Sequence, residues 1–264
     1  MPRFSANISM LFRERPLLER FAAARAAGFA AVEIQFPYDT PVAELVRAKD
    51  AAGVSIDLIN LPAGDFSTGV RGIAGLPDPR RAAEFRAGVA RGREYARALG
   101  VKKVNVLAGL LPPDAKKPDC LAQFAENLRF AADALNGDGI RVLVEPINAH
   151  DVPGFLVNLT TEGLATVELA AAGTARDIAV QADLYHMARM GEEIPAALFG
   201  LGRRLGHIQF ADVPGRGEPG SGALDWTGLF AAVDRAGYAG FSAAEYNPTR
   251  RTEDTLAWLA KARA

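Results

Sequence analysis

A single cysteine, Cys120, stands in 264 residues, which excludes an internal disulfide and a thiolate-built metal site. It opens an amphipathic segment and reads as core filler, and the shortage of thiols suits a reducing, cytoplasmic setting. Histidine is almost as scarce: only His150, His186 and His207 are present, too few for a histidine-rich multi-zinc cluster. Charge excess is missing as well. Thirty basic residues face 31 acidic ones, a net charge of -1, so neither nucleic acid nor an anionic membrane is expected as partner. No apolar run approaches the roughly 20 residues of a membrane span, and the opening Met1-Pro2-Arg3-Phe4 has none of the regions of a signal peptide. A Gly-Lys-Ser/Thr phosphate loop is absent. The glycine-rich run 215–222 lacks dinucleotide spacing, and its carboxylate and prolines suit an active-site loop better than a phosphate cradle. The expected partner is a small molecule.

What is present is alternation. Hydrophobic content of 49% and charge of 23% match an ordinary globular protein. Short apolar, β-branched runs alternate with segments of helical spacing from one end to the other. Ala82, Phe85, Val89, Gly92, Ala96 and Leu99, three and four apart, mark one such helical face, and Leu121, Phe124, Leu128, Ala132 and Leu135 mark another. Pro16 opens a first helix; Thr40 is expected to cap a second with Pro41 at its first position. Residues 62–79 form a long loop, Pro195 opens a helix toward Leu205, and a last helix is expected over 251–262. Eight strand-helix units result. Strict alternation requires parallel pairing, and the count of eight favours a closed α/β barrel, a (β/α)8 TIM barrel, as one domain over residues 1–264.

Four strands carry an oxygen ligand near their ends. Val142-Leu143-Val144 runs into Glu145 before Pro146 stops it, and Asp183, Gln209 and Glu245 close the next three strands. In a barrel these ends share one mouth. Any one such carboxylate commonly caps a neighbouring helix. Three together would repel, and a hard divalent cation makes the crowding favourable; the oxygen-only set points to magnesium or manganese rather than zinc. His186, three residues past Asp183, is placed to donate to a substrate oxygen, against the plain alternative of a structural histidine. Arg216 is a candidate for an anionic substrate group or a solvated surface arginine. Glu218 either holds Arg216 or touches ligand. His207 lies deeper on the strand of Gln209, and His150 in a loop.

The opening Arg3-Phe4-Ser5-Ala6-Asn7-Ile8-Ser9-Met10-Leu11-Phe12, the segment Asn60-Leu61-Pro62-Ala63-Gly64-Asp65, the run Glu145-Pro146-Ile147-Asn148, the stretch Asp183-Leu184-Tyr185-His186-Met187 and the loop Arg216-Gly217-Glu218-Pro219-Gly220 together resemble the hydroxypyruvate isomerase family, within the wider xylose-isomerase-like barrels. The match runs in order along almost the whole chain. The resemblance implies Mg²⁺ or Mn²⁺ held by Glu145, Asp183, Gln209 and Glu245, with Glu145 and Glu245 also the catalytic acid/base pair. It places His186 and Arg216, with Glu218, at the substrate. Related sugar epimerases have histidine where Gln209 stands. The implied reaction interconverts hydroxypyruvate and tartronate semialdehyde. Alternatives are a 2-oxo-tetronate isomerase, a ketose 3-epimerase, or a sugar-acid-binding barrel without catalysis. Family habit implies a homodimer or homotetramer.

Overall fold

The computed structural model describes residues 2–262. Eight parallel strands close in chain order: β1 (Arg3–Asn7), β2 (Ala31–Ile34), β3 (Ser55–Asn60), β4 (Lys103–Val106), β5 (Arg141–Val144), β6 (Ile178–Asp183), β7 (Leu205–Phe210) and β8 (Phe241–Ala244). The seam between β8 and β1 is in register from Arg3 opposite Phe241 to Ala6 opposite Ala244. The helices are α1 (Leu17–Ala26), α2 (Val42–Ala52), α3 (Pro79–Leu99), α4 (Lys117–Leu135), α5 (Thr160–Ala171), α6 (Leu184–Arg189), α7 (Ile194–Leu201), α8 (Trp226–Arg235) and α9 (Ala257–Lys261). Among the described residues no helix is long and apolar enough to cross a membrane.

The strands are short, with helices covering their apolar outer face and the barrel interior on the other side. Outside the sheet, Phe4 meets Phe210, Phe230 and Trp258 edge-on with ring centroids 5.0–5.9 Å apart, which ties the seam to α8 and α9. Inside, Leu58, Leu143 and Ala179 form a small apolar plug. Gly206 makes room for it, since a Cβ there would lie 2.5 Å from Leu143 and 2.6 Å from Ala179. The rest of the interior mixes small apolar residues such as Ala243 with buried polar ones, Glu33, Asn105, Gln181, His207 and Gln209.

Three local expectations are corrected. Thr40 does not cap α2: the residue before Val42 is Pro41, and no side chain bonds the first turn. The final helix is broken into a 3₁₀ turn at Thr252–Thr255 followed by α9. Hydroxyls compete with helical carbonyl pairing there: Thr255 Oγ1 donates to Thr252 O at 2.7 Å, while Thr252 Oγ1 accepts from Phe12 N at 2.7 Å. The helix opened by Pro195 is present as α7 but stops at Leu201, short of Leu205, and an additional helix precedes it, because Asp183 ends its strand and accepts from Tyr185 N at 2.9 Å, starting the short α6 at once. Cys120 is buried in the core, as expected.

Candidate active site

Strand ends deliver the acidic groups. Pro146 follows Glu145, so β5 stops at Val144 and the carboxylate emerges at the mouth. Asp183 closes β6, Gln209 lies next to last in β7, and Glu245 directly follows β8. All four are buried. Glu245 Oε1 accepts from Asn7 at 2.8 Å, Gln35 at 2.9 Å and Gln209 at 3.1 Å, while its Oε2 accepts from Arg216. Glu145 Oε2 accepts from Asn105 at 2.7 Å. Arg216 also reaches Asp183 Oδ2 at 3.4 Å. Its backbone takes the left-handed φ of 54°, unusual for a residue with a side chain; this turns the loop after β7 back over the mouth.

Glu145, Glu245, His186 and Arg216 thus line one cavity of about 170 Å³, with Asp183 and Gln209 in contact with that group. Glu218 is not brought there. Its carboxylate accepts from Thr249 N at 3.1 Å and Thr249 Oγ1 at 2.6 Å, and it does not hold Arg216. His150 is exposed.

The tautomer of His186 follows from its neighbours. Asn148 Oδ1 accepts from the backbone amides of His150 at 3.1 Å and Asp151 at 2.8 Å, so its other end must be the NH₂, 2.6 Å from His186 Nδ1. Nδ1 is therefore an acceptor and the ring proton sits on Nε2, 3.5 Å from Asp183 Oδ2 and 3.9 Å from Glu145 Oε1. Burial, with Arg216 nearby, lowers the pKa of His186 to about 3, so the ring is neutral. It is a donor into the cavity.

Burial raises the pKa of Glu145, and the neighbouring Glu245 and Asp183 raise it further. Burial likewise raises Asp183 and Glu245 against the pull of Arg216. Arg216 moves upward despite burial, drawn by Glu245, Asp183 and Glu145. One guanidinium among three buried carboxylates leaves an excess of negative charge, and a divalent cation fits that excess; Glu145 and Asp183 offer carboxylate oxygens within 4.8 Å of each other. The amides fit as well. Gln181 Nε2 donates to Gln209 Oε1 at 2.6 Å while Gln181 Oε1 has no partner. Turning both amides over lets Gln209 donate to that orphaned oxygen and swings Gln209 Oε1 to the carboxylates, an arrangement that only a cation or a proton makes favourable.

Several site residues went unforeseen. Asn7, Glu33, Gln35 and Asn105 come from β1 to β4, whereas the expected set used only β5 to β8. The signal was present, since Glu33 and Gln35 sit two apart in the run Ala31-Val32-Glu33-Ile34-Gln35 and so share a face. Glu33 is fully buried, accepting from Gln209 at 2.8 Å and Asn7 at 3.3 Å. Below it His207 Nε2 meets Glu33 Oε1, and His207 Nδ1 faces Lys103 Nζ at 2.9 Å. Lys103 in turn pairs with Asp57 at 2.7 Å. A polar column therefore runs down the barrel beneath the catalytic mouth.

The family model for the xylose isomerase-like TIM barrel matches residues 21–262. The chain belongs to that family. Within the xylose isomerase-like barrels, a 2-oxo-tetronate isomerase from Cupriavidus necator is 42% identical over 259 residues, covering 98% of both chains. Hydroxypyruvate isomerase from Escherichia coli is also 42% identical over 259 residues, again covering 98% of both. A crystal structure from Brucella melitensis, described as an AP endonuclease of family 2, superposes with a TM-score of 0.94 at 38% identity over 99% of both chains.

Proposed function

We propose that this barrel is an isomerase that interconverts hydroxypyruvate and tartronate semialdehyde, using Glu145 and Glu245 as its acid/base pair. Full-length relatives named as isomerases support the reaction class. The observation that carries the mechanism is the unequal solvation of two glutamates facing one small cavity. Three donors, Asn7, Gln35 and Arg216, face Glu245 whichever way the Gln209 amide is turned, which favours its ionised form; Glu145 has one donor, on Oε2, and its Oε1 makes no hydrogen bond among the described residues. Glu245 accordingly takes the proton from C3 of hydroxypyruvate. The C3–H electrons form the C2–C3 double bond, and the C2 carbonyl becomes an oxyanion. Glu145 Oε1 then returns a proton to C2, the C3 carbonyl forms, and the hydroxyl proton passes from O3 to O2. No oxidant is required.

His186 Nε2–H donates to the substrate oxygen that gains charge, and Arg216 screens the two carboxylates nearest to it. A divalent cation, Mg²⁺ or Mn²⁺, held by Glu145, Asp183, Gln209 and Glu245 supplies electrostatic stabilisation of the negative charge that develops on the substrate oxygens. The cavity of about 170 Å³ suits a short acid, well below the roughly 300–1,000 Å³ of pockets for larger ligands. A 2-oxo-tetronate, one carbon longer, is supported by the relative from Cupriavidus at equal identity and would use the same residues. A polynucleotide, which the description of the Brucella structure evokes, does not suit so small a cavity.

Turnover of hydroxypyruvate in deuterated water with Mg²⁺ or Mn²⁺ tests the reading by proton NMR. Deuterium at C2 of the product is expected. Product without solvent label would count against proton transfer through the two glutamates, and a parallel panel of C3, C4 and C6 substrates ranks the chain lengths.

A further inference from the structure

Arg71 lines the cavity beside Phe66, and nothing in the chemistry above uses it. Only two arginines line this cavity among the described residues, and the other, Arg216, is committed to Glu245 and Asp183. Arg71 has no acidic partner among the described residues. Its Nη1 donates to the main-chain carbonyls of Phe66 at 3.1 Å and Val70 at 2.8 Å, and its Cζ lies 5.4 Å from the centroid of the Phe66 ring. Nε and Nη2 make no hydrogen bond there, so part of the guanidinium fork is free for a planar anion.

The main chain fixes the point from which that side chain extends. Gly72 forms an antiparallel bridge with Ala108, just past β4, and Gly75 N donates to Ala108 O at 2.7 Å. Asn127 Nδ2 holds Ala74 O at 2.7 Å from α4. Gly72 must be glycine for this approach, with φ of 122° and a Cβ position only 2.6 Å from Leu107 O and Gly109 N. Arg71 is thus the residue next to a rigid anchor, not part of the exposed turn at Phe66–Thr68.

Glu145, Glu245 and Asp183 are committed to Arg216 or to the cation they would hold, and Asp151, the other acidic group lining the cavity, is paired with Arg189; Arg71 is the cationic group left for a carboxylate. We propose that Arg71 binds the substrate carboxylate and so selects short 2-oxo and 2-hydroxy acids over neutral polyols of the same length. This rests on the cavity being the isomerase site and adds the group that reads the acid.

Calorimetric binding of D-glycerate and of glycerol to the full chain with Mg²⁺, for wild type, R71Q and R71K, tests it, alongside hydroxypyruvate kinetics. Glycerate affinity is expected to fall about 10- to 100-fold in R71Q and by less in R71K, with glycerol binding unaltered. For hydroxypyruvate, KM should rise by a similar factor while kcat stays within about threefold. Equal glycerate affinity in wild type and R71Q, loss of glycerol binding in step with glycerate, or no glycerate binding by wild type would overturn the proposal. Glycerate binding that depends on Arg71 in a wild-type protein without hydroxypyruvate turnover would uphold it and remove the isomerase reading instead.

Discussion

The side-chain nitrogen of Asn148 stands 2.6 Å from Nδ1 of His186 and can only donate there, since the Asn148 oxygen already accepts from two backbone amides. Replacing Asn148 by aspartate puts an acceptor in its place and draws the ring proton to Nδ1. Nitrogen-15 NMR of His186 should show Nε2–H in the native protein and its loss in N148D, with kcat lower by about 10- to 100-fold. Loss of Nε2–H in N148D with unaltered kcat refutes the donor role of His186.

Glutamine at either catalytic position keeps the shape and removes the proton carrier. E145Q and E245Q should each lose about 10²- to 10⁴-fold in kcat while circular dichroism and melting stay native. Strong turnover by either variant eliminates that residue as acid or base.

Divalent metal should matter more as pH rises. Glu145, Asp183 and Glu245 have raised pKa values, through burial first and then through acidic neighbours, so a cation competes with protons for their oxygens. Chelation should abolish turnover, Mg²⁺ or Mn²⁺ should restore it and raise Tm, and calorimetry in buffers of different ionisation enthalpy should detect proton release. Binding that neither releases protons nor strengthens with pH contradicts the ligand set.

Glu33 gives a stability test in metal-free protein. Burial raises its pKa from 4.5 to about 7, against the pull of Gln209 and Lys103. A raised folded value contributes stability below pH 4.5 that is lost as pH climbs through about 7. The E33Q variant lacks that titration. Relative to E33Q, wild type should therefore lose about 2–3 kcal/mol between pH 5 and pH 8 in urea unfolding; a pH-independent difference would mean that Glu33 is ionised throughout.

The barrel was legible because helical spacing and β-branched runs alternate eight times, and periodicity survives without knowledge of contacts. Glu145, Asp183, Gln209 and Glu245 were legible because each ends its strand. Glu33 stayed outside that set although its spacing from Gln35 puts both on one face, since it lies inside a strand among apolar neighbours and only closure of the barrel turns it against Gln209 and His207. Arg216 was ambiguous for a related reason: its position in a glycine-rich loop says nothing of the left-handed turn that folds it back. Glu218, two residues on, faces the opposite way to Thr249. Asp183 joined both readings of a strand-end carboxylate, one oxygen capping α6 and the other facing Arg216 and His186.

Arg216 is fastened twice to the last strand's exit. Its carbonyl accepts from Asn247 N at 2.7 Å, while its guanidinium reaches Glu245 two residues earlier. A ligand that displaces the guanidinium leaves the main-chain bond intact, so the loop stays docked while one side chain swings. Access to the acidic end then requires one side chain to give up its ion pairs, and not the opening of a lid.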